Sequence, residues 1–201
     1  MELNAANLRT ELAKIMDKDD PLFTGYPATP TQAAANWASA YHVYALAALD
    51  VSGDTFLVAP VATNFSSTLV ATLPPPLTGT PAQAAAAFDA AFVAYWTGVT
   101  FAVSVLIAPP PFVPACPNIG LGTNIWVIET TSTAVVTSGV LEGQLLPIFN
   151  LNSGDTQSKI NAMRDAFHLA TTSAITVTIV GTDSTPPPGG PLPISNICTV
   201  F

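Results

Sequence analysis

The sequence predicts an α+β domain in which alanine-rich amphipathic helices pack on a small sheet. Aromatic side chains recur at helical spacing in alanine-rich segments, and apolar and polar residues alternate directly after two of these segments. Nineteen prolines, mostly in clusters, predict long and stiff connectors. With 201 residues, the chain is long enough to form one domain with its own core.

The first element is predicted as a short amphipathic helix over residues 5–17, because Leu8, Leu12 and Ile15 share one helix face. The N-terminal residues include the acid Glu2 and lack the apolar stretch of a secretory signal. We therefore expect synthesis in a cytoplasm.

Two segments, "TPTQAAANWASAYHVY" (29–44) and "TPAQAAAAFDAAFVAY" (80–95), repeat the same helix start. The shared Thr-Pro-x-Gln predicts a threonine N-cap, a proline in the first helical position and a glutamine that completes a capping box. Aromatic residues then follow at i, i+4 and i+7, which is the spacing of one helix face. We expect both stripes in the core: Trp37, Tyr41 and Tyr44 in the first segment, and Phe88, Phe92 and Tyr95 in the second.

Residues 88–114 have no charge after Asp89 and are long enough to suggest a membrane span. We predict instead a helix to about Trp96, a break near Gly98 and a strand to Ile107. The apolar residues after the glycine alternate with small polar ones, and no flanking Lys or Arg would set a membrane topology. Before this helix, the Ser-, Thr- and Pro-rich stretch 52–79 is predicted to be extended with turns.

In the second half, "NIWVIETT" and "TAVVTSGVL" are predicted as a strand pair, or as one strand leading into a short helix near "VLEGQLLPIF". Asp155 is expected to cap a further helix, and Ile175, Val177 and Ile179 alternate as in a half-buried strand. The order helix, strand, proline triplet therefore occurs twice, over about 80–120 and about 155–198. We interpret this order as an internal repeat within a single domain, 1–201.

The charge distribution argues against nucleic acid as a partner. The net charge is −8, and no Lys or Arg occurs between Asp19 and Ser158. Nucleic acids are held mainly by cations that neutralise phosphates. We expect partners to be proteins.

Candidate catalytic and metal-binding residues are few. Paired carboxylates could act as acid and base, but nothing in the spacing brings Glu129 and Glu142 together. No nucleophile elbow, phosphate loop or metalloprotease motif occurs. The residue types of a zinc site are present without its spacing: Cys116, Cys198, His42 and His168. We therefore expect no enzymatic activity, no cofactor and no metal.

The C-terminal stretch 184–201 is predicted as an extended arm, because it is rich in proline, carries no charge and ends in apolar residues. The arm would dock on a neighbour or on its own domain; a disordered tail is the alternative. The residues proposed for its contacts are Pro186, Pro191, Pro193, Ile194, Ile197, Val200 and Phe201.

The segments "NWASAYHVYA" and "AFVAYW", with Thr- and Pro-rich connectors and few lysines, resemble small virion proteins of tailed bacteriophages. The resemblance implies a non-enzymatic structural subunit, with a neck or tail-completion (head-to-tail) ring favoured over a capsid decoration protein. It also implies other virion proteins and further copies of the chain as partners, and a place in the virion after synthesis in the host cytoplasm. A small membrane-embedded protein and a ligand-binding domain are the alternatives from other classes.

Overall fold

The α+β prediction is confirmed by the computed structural model, which describes residues 3–49, 55–73, 79–102, 105–106, 127–151, 154–183 and 193–199. Six helices occur in these residues: α1 (Ala5–Met16), α2 (Pro30–Ala45), α3 (Ala62–Thr72), α4 (Pro81–Trp96), α5 (Val140–Asn150) and α6 (Thr156–Ala174).

Antiparallel strands form one sheet in the order β1-β2-β4-β5-β6, with β3 also paired to β4. The strands are β1 (Phe56–Val58), β2 (Thr100–Phe101), β3 (Val105–Leu106), β4 (Val127–Val136), β5 (Ile175–Asp183) and β6 (Pro193–Thr199). Helices α4 and α6 contact this sheet through the buried face of β4 and β5, which carries Ala134, Ile175 and Val177.

The two predicted helix starts are confirmed, with one difference. In α4 the capping box is complete: the Gln83 N–H donates to Thr80 Oγ1 (3.2 Å), and the Thr80 N–H donates to Gln83 Oε1 (2.9 Å). In α2 the Thr29 hydroxyl oxygen likewise accepts the Gln32 N–H. The Gln32 side chain, however, accepts from the N–H of Ala28, one residue before the cap.

The break in the long apolar segment lies where the sequence predicts it. Helix α4 ends at Trp96, and the Thr97 hydroxyl donates back to the Val93 carbonyl at 2.8 Å. Gly98 follows with φ 79°, a left-handed conformation that glycine adopts at low cost, and β2 begins at Thr100. None of the described helices has the length and hydropathy needed to cross a membrane.

Helix α3 corrects the prediction of an extended segment between α2 and α4. Its sequence, ATNFSSTLVAT, is rich in residues of low helix propensity, and its N-cap, Val61, makes no side-chain capping bond. Phe65 and Leu69 lie one helical turn apart and are fully buried against the core. Burial of this one stripe, and not local preference, therefore stabilises α3.

For residues 124–149, the sequence left open a strand pair or one strand that leads into a short helix. The structure has the second arrangement. β4 is a single strand, and after a turn it leads into α5. The two units of the proposed repeat share a helix that runs into an antiparallel strand, α4 into β2 and α6 into β5. Both proline triplets lie outside the described residues.

The core is a cluster of aromatic side chains from four helices. Tyr41 lies at its centre, with ring centroids within 6 Å of Tyr44, Phe65, Phe92, Tyr95 and Phe167. Alanines on α2, α4 and α6 allow the helices to come close enough for these rings to interleave. The predicted stripes lie in or against this cluster, with Trp37 only partly buried at its margin.

Asp89 is a buried carboxylate in the middle of the most apolar helix, α4. It accepts backbone N–H groups of Gly139 (2.8 Å), Leu141 (3.1 Å) and Glu142 (3.3 Å) at the start of α5. Helix α5 has no capping side chain of its own, since its N-cap is Gly139. Asp89 therefore caps α5 from another helix, and the positive end of the α5 dipole stabilises the carboxylate.

Replacement of Asp89 is expected to destabilise the fold. Asp89→Ala leaves the N–H groups at the start of α5 without an acceptor and should lower the free energy of unfolding by about 2–4 kcal/mol. Asp89→Asn keeps one acceptor oxygen and should cost less. Urea denaturation measures both variants. The control Asp165→Ala removes an exposed carboxylate and should change stability by less than about 0.5 kcal/mol; equal losses in Asp89→Ala and the control would exclude the capping role.

Candidate functional site

A chain of hydrogen bonds through the Tyr41 hydroxyl joins three helices. The Trp96 indole N–H donates to the Tyr41 oxygen (2.8 Å), and the Tyr41 and Thr171 hydroxyl oxygens lie 2.8 Å apart. The Thr171 hydroxyl donates its only proton to the Phe167 carbonyl (2.7 Å). Tyr41 must therefore be the donor to Thr171, and every polar hydrogen in the chain has an acceptor.

Two tyrosine–histidine pairs lie on either side of this chain. His42 Nδ1 on α2 is 2.8 Å from the Tyr95 hydroxyl on α4, and His168 Nδ1 on α6 is 2.6 Å from the Tyr44 hydroxyl on α2. The tyrosine partners of both histidines were not predicted from the sequence.

Burial disfavours the charged forms of three tyrosines and one histidine in this region. It raises the pKa of Tyr95 and of Tyr41 far above the ordinary value for a phenol. It also raises the pKa of Tyr44. Burial lowers the pKa of His42, so that its imidazole is neutral at pH 7. These phenols do not supply a tyrosinate at neutral pH, and the arrangement is suited to holding helices together.

The residue types considered for a zinc site or for acid–base chemistry form no metal site in the part of the chain that the structure describes. No cluster of three His, Cys, Asp or Glu side chains with metal-site geometry occurs there. Cys116 lies outside the described residues, and the two histidines have tyrosine partners. Of the two candidate carboxylates, Glu142 lies in the first turn of α5.

A small cleft between α1 and α2 holds about 90 Å³. Glu11 and Lys14, which form an ion pair at 2.5 Å, lie on its α1 side, and Asn36 and Ser39 on its α2 side. Pockets for cofactors and drug-sized ligands usually hold about 300–1,000 Å³. The cleft is therefore too small for such a ligand.

The predicted arm is described in part. Pro193, Ile194 and Ile197 lie in β6, which pairs with β5 in regular antiparallel register. This stretch is thus extended and docked on its own domain. The remaining proposed arm residues lie outside the described residues: Pro186, Pro191, Val200 and Phe201.

The opposite edge of the sheet exposes apolar side chains that sequence reasoning did not single out. Leu57 and Val58 on β1 are 68% and 52% exposed, and Val61, just after the strand, is 50% exposed. The signal in the sequence was the run "FLVAPV", whose apolar residues follow no helical or strand period. No described strand pairs with the outer side of β1.

Cations are confined to a different region of the protein. Arg9 on α1 donates to Gln157 and Asn161 on α6, at 2.5 and 3.0 Å. The other cations also belong to α1, the loop after it and α6: Lys14, Lys18, Lys159 and Arg164. The β1 edge carries no charge over residues 55–61, so it has apolar surface without a charge pattern that would recognise an ionic ligand.

The bonds of the Tyr41 chain should be energetically coupled. Tyr41→Phe and Thr171→Val each remove a buried hydroxyl, and each should lower the free energy of unfolding by about 1–3 kcal/mol. The double variant should lose about 1 kcal/mol less unfolding free energy than the two single losses added together. The reason is that each substitution alone already removes the Tyr41–Thr171 hydrogen bond. Urea denaturation of the four proteins measures this coupling. The exposed Thr10→Val, combined with Tyr41→Phe, serves as the additive control; additivity in both pairs would exclude a shared bond.

No protein-family model, no curated protein and no solved structure matches this chain. Its function therefore has to be inferred from the residues and the geometry described above.

Proposed function

We propose that the protein is a non-enzymatic structural subunit of a phage particle, with a neck or tail-completion (head-to-tail) ring as the favoured position. The observation that carries the proposal is the uncharged β1 edge, where Leu57, Val58 and Val61 are exposed. Exposed large apolar residues that lie close together are typical of surfaces that bind other proteins, and these three lie within five residues of chain. A strand edge also presents unpaired backbone N–H and C=O groups that a neighbouring chain could pair with.

The charge distribution supports protein neighbours, including further copies of the chain. A net charge of −8 makes two copies repel each other at long range. The uncharged β1 edge allows close approach without placing like charges in contact. Other virion proteins with apolar, uncharged contact surfaces would be suitable partners for the same reason.

The interior supports a structural role more than a catalytic one. The buried hydroxyl, indole and carboxylate groups described above are bonded to one another or to the backbone. Such satisfied networks make a core rigid and favour one arrangement. A rigid subunit loses little conformational freedom on association, which favours a stable particle. In this proposal the protein is made in the host cytoplasm and acts in the virion.

A lysine on the β1 edge should weaken assembly without unfolding the protein. Leu57→Lys places a charge at a contact that must lose its water, and lysine is a common device against edge pairing in natural sheets. We expect the average mass in solution, measured by size exclusion with light scattering, to fall towards that of the monomer. The apparent association constant should fall at least tenfold, or about 1.4 kcal/mol.

Leu22→Lys is the matched control, because Leu22 is 62% exposed and lies in the loop after α1. It adds the same charge and should leave the assembly mass unchanged. Circular dichroism checks that both variants are folded. Equal effects of the two lysines would mean that net charge, and not the β1 edge, governs association. A wild-type protein that stays monomeric alone and with other virion proteins would contradict the proposed function.

A further inference from the structure

Apart from the two-residue strand β3, which pairs only with β4, the sheet ends at two different edge strands, β1 and β6. Among the described residues, neither strand has a partner on its outer side. A free strand edge is a template for a further strand, and natural proteins usually protect it with charge, proline, a bulge or an early end to the strand. An edge strand that lacks these protective features is therefore a candidate site for pairing with a neighbouring chain.

The β6 edge has little of this protection. Its residues, PISNICT, carry no charge, and proline occurs only at the first position. All seven residues pair with β5 in uninterrupted register, from Pro193 opposite Thr182 to Thr199 opposite Thr176. A regular, uncharged edge of this length can accept a strand along most of its length.

The β1 edge is shorter and carries exposed apolar side chains instead. Its ladder to β2 contains an irregularity between Phe56 and Val58, so it offers only a few backbone groups. Leu57 and Val58 are nevertheless more than half exposed. Side-chain burial would therefore provide much of the free energy of a contact at this edge.

We propose that the β6 edge of one copy binds the β1 edge of the next, so that the sheet continues from copy to copy around a closed ring. This inference rests on the proposed function, because it assigns the contact that builds the ring. A contact between two different edges is heterologous, and repeated heterologous contacts form a ring when the rotation between copies closes.

The occupant of the β1 edge is a second copy for two reasons. Both edges are uncharged, so the repulsion expected between two chains of net charge −8 is smallest where they meet. The two edges also contribute differently to such a contact: β6 offers backbone groups along seven residues, and β1 adds exposed apolar side chains that the contact would bury. Pairing of β1 with β1 would leave the β6 edge unpaired, and pairing of β6 with β6 would leave Leu57 and Val58 in water. Pairing of β6 with β1 covers both edges.

Thiol cross-linking tests the contact. Cys198 already lies in β6, and Leu57→Cys adds a thiol at β1; Cys116→Ser removes the remaining cysteine. Within one chain these positions are separated by four strand spacings, which is about 19 Å. A bismaleimide that spans less than half of this width therefore joins only thiols of different chains. Val58→Cys is the second variant, so that the test does not depend on one substitution.

The proposal predicts a ladder of covalent dimers, trimers and higher species on a denaturing gel. The ladder should vanish when Cys198 is replaced by serine and when Leu57 is retained, because each link needs both thiols. Dimers that persist without Cys198 would show pairing of β1 with β1. Dimers that persist without the Leu57→Cys thiol would show pairing of β6 with β6. Either result overturns the proposal. Absence of links from both variants in a protein that light scattering shows to be oligomeric overturns this contact but not the proposed function. A protein that is monomeric in light scattering, alone and with other virion proteins, contradicts both.

Discussion

The hydroxyl group of Tyr41 links the ends of the two helices that run into the central part of the sheet. Its two hydrogen-bond partners, Trp96 and Thr171, lie in the last turn of α4 and near the end of α6. Each of these helices runs directly into a strand, α4 into β2 and α6 into β5. A buried phenol held between the two helix ends therefore links the points from which β2 and β5 begin. Because an unpaired polar group in the core is costly, this arrangement has few alternatives.

Asp89 extends the same constraint to β4, the strand between β2 and β5. It binds the turn that follows β4 and the start of α5, and in this way links the end of β4 to α4. The helices thus hold β2, β4 and β5, while β1 and β6 lie outside these attachments at the two edges. A rigid group of central strands with two different unpaired edge strands is suited to a subunit that binds one neighbour at each edge.

Much of the fold follows from local patterns in the sequence. The helix starts at Thr29 and Thr80 and the break at Gly98 are set by capping and backbone conformation within a few residues, so the sequence predicts them. Helix α3 was missed because its stability comes from burial of Phe65 and Leu69, which requires the folded core. Asp89 was missed because a lone acid in a helix gives no sign of the distant N–H groups that it binds. The β1 edge could not be recognised either, since being an edge depends on the order of all the strands.

The central claim is that copies of the chain associate through two different edges and close into a ring. Electron microscopy of the purified, unmodified protein with class averaging tests it most directly, because symmetry distinguishes the two kinds of contact. The account predicts closed particles with cyclic symmetry of order three or higher. Particles no larger than two-fold dimers would contradict it, because the account requires a ring of at least three copies.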